Sequence, residues 1–395
     1  MKICIIVDDY MPTSIKVAAK MMHELACEFK NQGHEVSVIT PNINTSEKLI
    51  IDNLDGIDIY RFKSGKIKNV NKIQRAINET LLSFNAWNNC KDFIINNPHD
   101  IIIYYSPSIF FGSLVKKLKK QWNAKSYLIL RDLFPQWAID NNLLKENSII
   151  TKYFQYFEKI NYDNADRIGV MSDNNLKWFN NYYKNNKKVE VLYNWANPIK
   201  YNGTENKYKK KLGIENKIVY FYGGNLGHAQ DMMNIIRLVI NMKDVTNAHF
   251  VLVGAGDEFD LIKDAINKES LVNITLLPSV NQTEFKQMLY EFDVGLFTLN
   301  KNHNTHNFPG KILGYLVEEL PILGSINKGN DLKDILEQHN AGLISVNPDD
   351  KLFYKNALYL LEEENRKVIS TNAYNLLVNK FSVQNSAKQI ISALT

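Results

Sequence analysis

Short apolar runs rich in β-branched residues, each followed by a helical stretch, recur along this chain and set its fold class. The first is Lys2 to Val7. A continuous run of that kind, without polar alternation, suits a parallel strand buried on both faces. Asp8 to Ser14 then reads as a loop, Ile15 to Asn31 as a helix closed by Gly33, and Glu35 to Thr40 as a second strand. This is a βαβ unit of the length used in doubly wound sheets. Further strands are expected at Ile57–Phe62, Asp100–Tyr105, Tyr127–Leu130, Arg167–Met171 and Val189–Leu192, with helices over Val70–Asn96 and Ser108–Trp122. About six or seven strands alternating with helices make a Rossmann-like domain.

Asn194, Trp195, Ala196, Asn197 and Pro198, with the lysine-rich stretch to Lys211, interrupt the alternation, which restarts at Lys217. A chain of 395 residues exceeds one ordinary core. The expected division is 1–197, 198–377 and a closing helix within 378–395 that packs back on the first domain. In the second half, strands are expected at Ile218–Tyr222, Phe250–Val253, Asp293–Leu299, Pro321–Leu323 and Ala341–Val346. Gly223, Gly224, Asn225, Leu226 and Gly227 read as a glycine turn opening into a helix near Gln230. Asn281 with Glu284 reads as a capping box.

Ligands of open parallel sheets bind beyond the carboxyl ends of the strands. Asp8, Asp9 and Ser14 follow the first strand, and Arg131 and Asp132 follow Leu130. The paired carboxylates either orient hydroxyls and act as a base or cap their own loop. Arg131 either holds a phosphate or pairs with Asp132. In the second half, Lys311 opens a helix marked by Ile312, Leu313, Leu316, Val317 and Leu320. A helix N-terminus carries partial positive charge and disfavours a lysine. An anion held between that lysine and the free amides, a phosphate above all, reverses the preference; otherwise the side chain snorkels to water. The glycine turn lets backbone approach a diphosphate, or serves geometry alone.

The three cysteines, Cys4, Cys27 and Cys90, show no metal spacing and fit a reducing cytoplasm. No apolar run reaches the roughly 18–20 residues that span a bilayer, and Ile3–Val7 is too short for a signal peptide. The expectation is therefore a cytoplasmic protein. The net charge of +5 is unevenly placed: Lys116, Lys117, Lys119 and Lys120 precede Trp122, and Lys66, Lys68, Lys72 and Arg75 flank the helix of Trp87. Such patches suit an anionic membrane surface or a merely solvated face. No motif points to nucleic acid. There is no Asp-x-Asp and no His-Glu-x-x-His, and His303 and His306 have no cysteine or acidic residue nearby. No metal and no cofactor are expected.

Several motifs, in this order and spacing, resemble glycosyltransferase family 4 over nearly the whole chain. They are Ile6-Val7-Asp8-Asp9-Tyr10-Met11-Pro12, Gly33-His34-Glu35-Val36, Leu130-Arg131-Asp132-Leu133-Phe134-Pro135, Glu158-Lys159 with Tyr162 and Ala165-Asp166, Tyr193-Asn194-Trp195, Gly224-Asn225-Leu226-Gly227, Leu252-Val253-Gly254-Ala255-Gly256 and Pro309-Gly310-Lys311. The resemblance implies the GT-B plan, two Rossmann-like doubly wound domains facing across a cleft, and retaining, metal-independent transfer from a nucleotide-sugar. It implies donor contacts from Gly224, Asn225, Gly227, Gly254, Gly256, Pro309, Gly310, Lys311 and Ile312. Acceptor contacts are implied for Asp8, Asp9, Ser14, Lys16, Arg131 and Asp132, with Lys311, Asp132 and Asp9 as the catalytic set. The leaving phosphate itself can accept the acceptor's proton.

Three departures stand out. His306 and Gly314 occupy the positions of a spaced glutamate pair, Asn225 and Gln230 replace an arginine and a lysine, and Thr13-Ser14-Ile15-Lys16 lacks a Gly-Gly. Asp8 to Val17, Phe308 to Tyr315 and Gly329-Asn330-Asp331-Leu332 are similar to the N-acetyl-L-fucosamine transferases of O-antigen and capsule clusters. That implies a UDP-sugar donor and a polyprenyl-diphosphate-linked glycan acceptor, with the protein peripheral on the inner face of the cytoplasmic membrane. Another UDP-sugar such as UDP-N-acetylglucosamine, a sugar-nucleotide 2-epimerase, and a non-catalytic nucleotide-sugar-binding partner are the alternatives.

Overall fold

The computed structural model describes residues 1–14, 16–67, 70–183, 188–203, 207–302 and 310–395. They form two units, one of Met1–Trp195 with Val383–Thr395 and one of Ala196–Ser382. Both are α/β units on parallel sheets.

The first unit contains β1 (Lys2–Ile6), β2 (Glu35–Asn42), β3 (Leu49–Leu54), β4 (Ile57–Lys63), β5 (Ile101–Ser106), β6 (Lys125–Leu130), β7 (Arg167–Val170) and β8 (Lys188–Val191). Their order is β3-β4-β2-β1-β5-β6-β7-β8. Every pair is parallel except β3 with β4. Ile3, Cys4, Ile5 and Ile6 are fully buried, as a strand covered by helices on both faces requires. The direction of travel through the sheet reverses between β1 and β5, so the crevice beyond their carboxyl ends is the natural ligand position.

Two expectations need correction here. The sheet has eight strands, because β3 and β4 make a hairpin that the sequence reading missed. Its turn, Asp55 (φ 52°) and Gly56 (φ 74°), has both central residues at positive φ, the signature of a tight two-residue hairpin. The long helical stretch expected over Val70–Asn96 is divided into three helices, Lys72–Thr80, Leu82–Asn89 and Lys91–Asn96. The second and third, with Cys90 between them, carry Leu82, Ala86, Phe93 and Ile94 into the core, whereas the first buries nothing.

The second unit contains β9 (Ile218–Asn225), β10 (Ala248–Ala255), β11 (Ile274–Leu277), β12 (Val294–Thr298), β13 (Ile322–Ile326) and β14 (Gly342–Val346). All are parallel, in the order β11-β10-β9-β12-β13-β14. The reversal lies between β9 and β12. The capping box at Asn281 and Glu284 is formed in both halves.

The helix Val383–Leu394 belongs to the first unit. Val383, Ala387, Ile390 and Leu394 share a core with Met22, Ala26 and Phe29. Its last carbonyls meet two cations: Arg167 Nε donates to Ala393 O at 2.8 Å, and Lys125 Nζ donates to Leu394 O. Positive charge is favoured at that end of a helix.

Candidate functional site

In the second unit the strand β9 runs straight through the expected glycine turn to Asn225, and a short turn at His228–Gln230 precedes the helix Met232–Asn241. Gly224 sits at φ +127°, open only to glycine. A Cβ on Gly254 would fall 1.8 Å from Gly224 O, and one on Gly256 would fall 2.2 Å from Leu226 O. Gly254 and Gly256 are thus required by the close approach of β9 and β10, whatever else they do. A Cβ on Gly227 would lie 2.7 Å from Asp257 Oδ1. Asn225 donates to Gln230 Oε1 at 2.8 Å, so the two residues that replace the family's cations satisfy each other.

The helix following this turn does not offer a free N-terminus. Glu258 Oε2 accepts the Met232 amide at 3.1 Å, and Glu258 Oε1 lies 3.5 Å from His228 Nδ1. A carboxylate already occupies the place of an anion there.

The helix Gly310–Val317 likewise holds no acidic residue in its first turn, and among the described residues no carboxylate is found on its first amides. Ile312, Leu313, Tyr315 and Leu316 face the core. Ile312 is fully buried, which leaves only its amide for a ligand. Tyr315 pins the helix to the sheet, donating to Leu296 O at 2.9 Å and receiving the Gly223 amide at 3.4 Å. Gly310 is exposed, and Gly314 has room, with Leu289 Cδ1 lying 3.4 Å from a Cβ built there. Pro309, His303 and His306 lie outside the described residues.

Lys311 turns inward. Its Nζ is shut off from solvent and has no hydrogen-bond partner among the described residues. The amine stands 3.6 Å from the centroid of the Tyr222 ring and 3.6 Å from where a Cβ on Gly224 would be. Tyr222 is itself anchored, donating to Asn225 O at 2.7 Å. Burial pulls the amine down to about 7. A desolvated amine against a ring face, beside the first turn of a helix and the end of β9, is an arrangement that can receive an anion. The snorkelling alternative does not describe this side chain.

In the first unit, Asp9 Oδ2 lies 3.5 Å from Lys16 Nζ. Ser14 is buried, and its hydroxyl accepts the Lys16 amide at 3.3 Å. Arg61 braces this loop from below, pairing with Asp52 and donating to Met11 O and, at 3.4 Å, to Thr13 Oγ1. Arg131 makes no ion pair with Asp132. Its guanidinium instead donates to Gly169 O at 3.3 Å, Tyr193 O at 3.2 Å and Leu130 O at 3.4 Å, and lies 5.5 Å from the Trp195 ring centroid. Burial pulls it down to about 10. The expected pair with Asp132 gives way to a tie between strand ends.

Asp132 is half-buried, and burial pushes its carboxyl up to about 6. The charges of Arg131, Asp8 and Asp132 all register at the Tyr105 hydroxyl, which burial chiefly raises to about 12. Tyr105 lies buried one residue from the end of β5. Tyr222, Glu258 and Tyr105 were missed in the sequence; Glu258 follows β10 and Tyr105 is one residue from the end of β5, a position at the carboxyl edge that could have found them, whereas Tyr222 lies within β9 and carries no such signal.

Residues 18–199 match the family described as Glycosyltransferase Family 4, and residues 204–376 match Glycosyl transferases group 1. The chain carries two glycosyltransferase domains. This two-domain chain is 22% identical over 221 residues to a "Probable glycosyltransferase WbjE" of Pseudomonas aeruginosa, and the match spans 55% of each protein. The structure resembles Anabaena HepE solved with UDP, at a TM-score of 0.67 and 14% identity, covering 100% of this chain and 99% of that one. It also resembles WaaG, a glycosyltransferase involved in lipopolysaccharide biosynthesis, at a TM-score of 0.64 and 13% identity, covering 100% and 99%. These likenesses show the GT-B fold.

Proposed function

We propose that this protein is a retaining, metal-independent glycosyltransferase that moves a sugar from a UDP donor onto a polyprenyl-diphosphate-linked glycan in O-antigen or capsule synthesis. The observation that carries the reading is the solvent-shielded amine of Lys311, without a hydrogen-bond partner among the described residues, beside the end of β9. The UDP bound by the HepE neighbour supports a uridine nucleotide here, and the WbjE and WaaG likenesses support a surface-polysaccharide role. The donor favoured by the sequence motifs is UDP-linked N-acetyl-L-fucosamine.

In this reading the diphosphate lies against Lys311 and the amides of Gly310–Val317, within reach of Gly224, Asn225 and Gly227. As the anomeric C–O bond to phosphate breaks, negative charge gathers on the leaving oxygen, where a preorganised cation stabilises it. The acceptor oxygen attacks from the same face. Its proton passes to the leaving phosphate, while Asp132 and Asp9 orient the acceptor. Asp132, at about 6, is mostly ionised at neutral pH and able to accept a hydroxyl's hydrogen bond.

A membrane contact is proposed on the first unit. No described helix is long and apolar enough to cross a bilayer. Ile73, Ile77, Leu81 and Phe84 stand 75%, 54%, 41% and 58% exposed across two successive helices, next to Lys72 and to Arg75, which pairs with Glu79 at 2.9 Å. An apolar stripe edged by cations suits an anionic bilayer surface. The Lys116–Lys120 cluster contributes less, since Lys117 sits over Trp87 at 5.1 Å and Lys119 pairs with Asp166 at 2.7 Å.

The deciding experiment offers a panel of UDP-sugars with and without a polyprenyl-diphosphate glycan. UDP release that requires the acceptor is expected, with Lys311→Ala lowering turnover by roughly 10²–10³-fold. Acceptor-independent interconversion of the UDP-sugar would instead mark an epimerase, and near-parental turnover of the alanine variant would reject the role of Lys311.

A further inference from the structure

His23 and Cys27 lie one turn apart on the helix Val17–Asn31, and the β3–β4 turn brings Asp55 to them. His23 Nε2 is 2.9 Å from Asp55 Oδ2 and 3.5 Å from Cys27 Sγ. Candidate ligand atoms of all three residues lie within 4.8 Å of one another. Tetrahedral zinc, with bonds of about 2.3 Å to sulfur and about 2.0 Å to nitrogen and oxygen, separates sulfur from nitrogen by about 3.6 Å and nitrogen from oxygen by about 3.3 Å. The sulfur and nitrogen already stand at that separation. The carboxylate needs to retreat by about 0.4 Å, and it can do so, because the Asp55 side chain is 69% exposed. The backbone beneath it is held, since Lys30 Nζ donates to Asp55 O at 2.9 Å.

The outer shell is also present. His23 Nδ1 lies 2.9 Å from the hydroxyl of Tyr10, which is buried and edge-on to the imidazole. With Nε2 on a metal, Nδ1 carries the ring proton and donates it to Tyr10, the arrangement that orients a ligating histidine. Tyr10 sits in the loop of Asp8 and Asp9, and its carbonyl takes the Ser14 amide at 3.2 Å.

We propose that His23, Cys27 and Asp55 form a zinc site whose occupancy fixes Tyr10 and steadies the loop carrying Asp8 and Asp9. Binding converts Cys27 from thiol to zinc thiolate and releases one proton to solvent. Water takes the fourth position. None of the three ligands has a part in the transfer proposed above, and the site stands whether or not the donor assignment does.

The test titrates the full, chelator-treated chain with Co²⁺. A near-ultraviolet thiolate-to-cobalt band saturating at one equivalent is expected, bleached by Zn²⁺, absent in Cys27→Ser and requiring roughly tenfold more metal or beyond in Asp55→Asn. Asparagine tolerates the positive φ of the turn, so that variant keeps the fold. Zn²⁺ should also slow tryptic cleavage after Lys16 in the parent and leave the rate unchanged in Cys27→Ser. No band, or a band that survives Cys27→Ser, overturns the site. A band with no change in cleavage overturns the link to the loop. Neither readout needs a sugar substrate.

Discussion

At pH 8, UDP binding should draw close to one proton from solvent, and Lys311 should be the group that takes it up. Burial holds this amine at about 7, so only about a tenth of it is charged at pH 8 before the nucleotide arrives. A diphosphate beside it restores the charged form, giving an uptake of about 0.9 proton per UDP at pH 8 and about 0.5 at pH 7. A terminal phosphate with a pKa of about 6 is fully ionised at pH 8 and contributes almost nothing there. The same depression sets a stability cost. Lowering a lysine from about 10.5 to about 7 amounts to up to about 5 kcal/mol against the charged fold, of which the Tyr222 face returns about 1–2 kcal/mol. A depressed lysine costs its full amount below pH 7, and the cost fades as pH rises toward about 10. Lys311→Met should therefore stabilise the UDP-free protein at pH 7 by about 2–3 kcal/mol and lose that advantage near pH 10. Calorimetric titration of UDP in buffers of different ionisation enthalpy measures the uptake. An uptake below about 0.2 proton at pH 8, or the same uptake in Lys311→Met, would refute the reasoning.

Asp132 titrates in the opposite sense: burial raises its carboxyl to about 6, so the native state prefers the proton and loses stability as pH climbs through that value. Asp132→Asn should raise Tm at pH 8 and leave it near parental at pH 4, and equal gains at both would exclude the buried-carboxylate account. Arg131→Lys removes the planar fork that reaches Gly169, Tyr193 and Leu130 and should cost about 2–3 kcal/mol, seen as a clear drop in Tm; a shift within error would show that a point charge suffices. Paired Ile73→Glu and Ile77→Glu changes should cut cosedimentation with phosphatidylglycerol vesicles by roughly tenfold or more without altering Tm. Undiminished vesicle binding would move the membrane face elsewhere.

The parallel strands were legible because a strand buried on both faces has no polar alternation to confuse it, as in Ile3–Val7. The strands that escaped are at edges. β3 is half solvated, and β11 is only Ile274–Leu277; yet the Asp55-Gly56 pair announced the hairpin, and its chemistry outweighs weak periodicity. Lys311 could be read because it breaks a local rule of helix electrostatics. Tyr222 could not, since nothing in a strand's sequence says which ring will face a distant amine. Adjacency misled at Arg131 and Asp132: neighbours in the chain suggest a pair, but carbonyls at Gly169 and Tyr193 took the guanidinium. Asp55 lies 32 residues from His23, so spacing alone could not have joined them.

The helix Val383–Leu394 completes the core of the first unit although it is synthesised after all of the second. Until those residues leave the ribosome, Met22, Ala26 and Phe29 lack their cover, and the first unit waits on a segment made after the whole of the second. A frameshift near residue 380 would thus spare the later half and cripple the earlier one, the reverse of what the position of the lesion suggests.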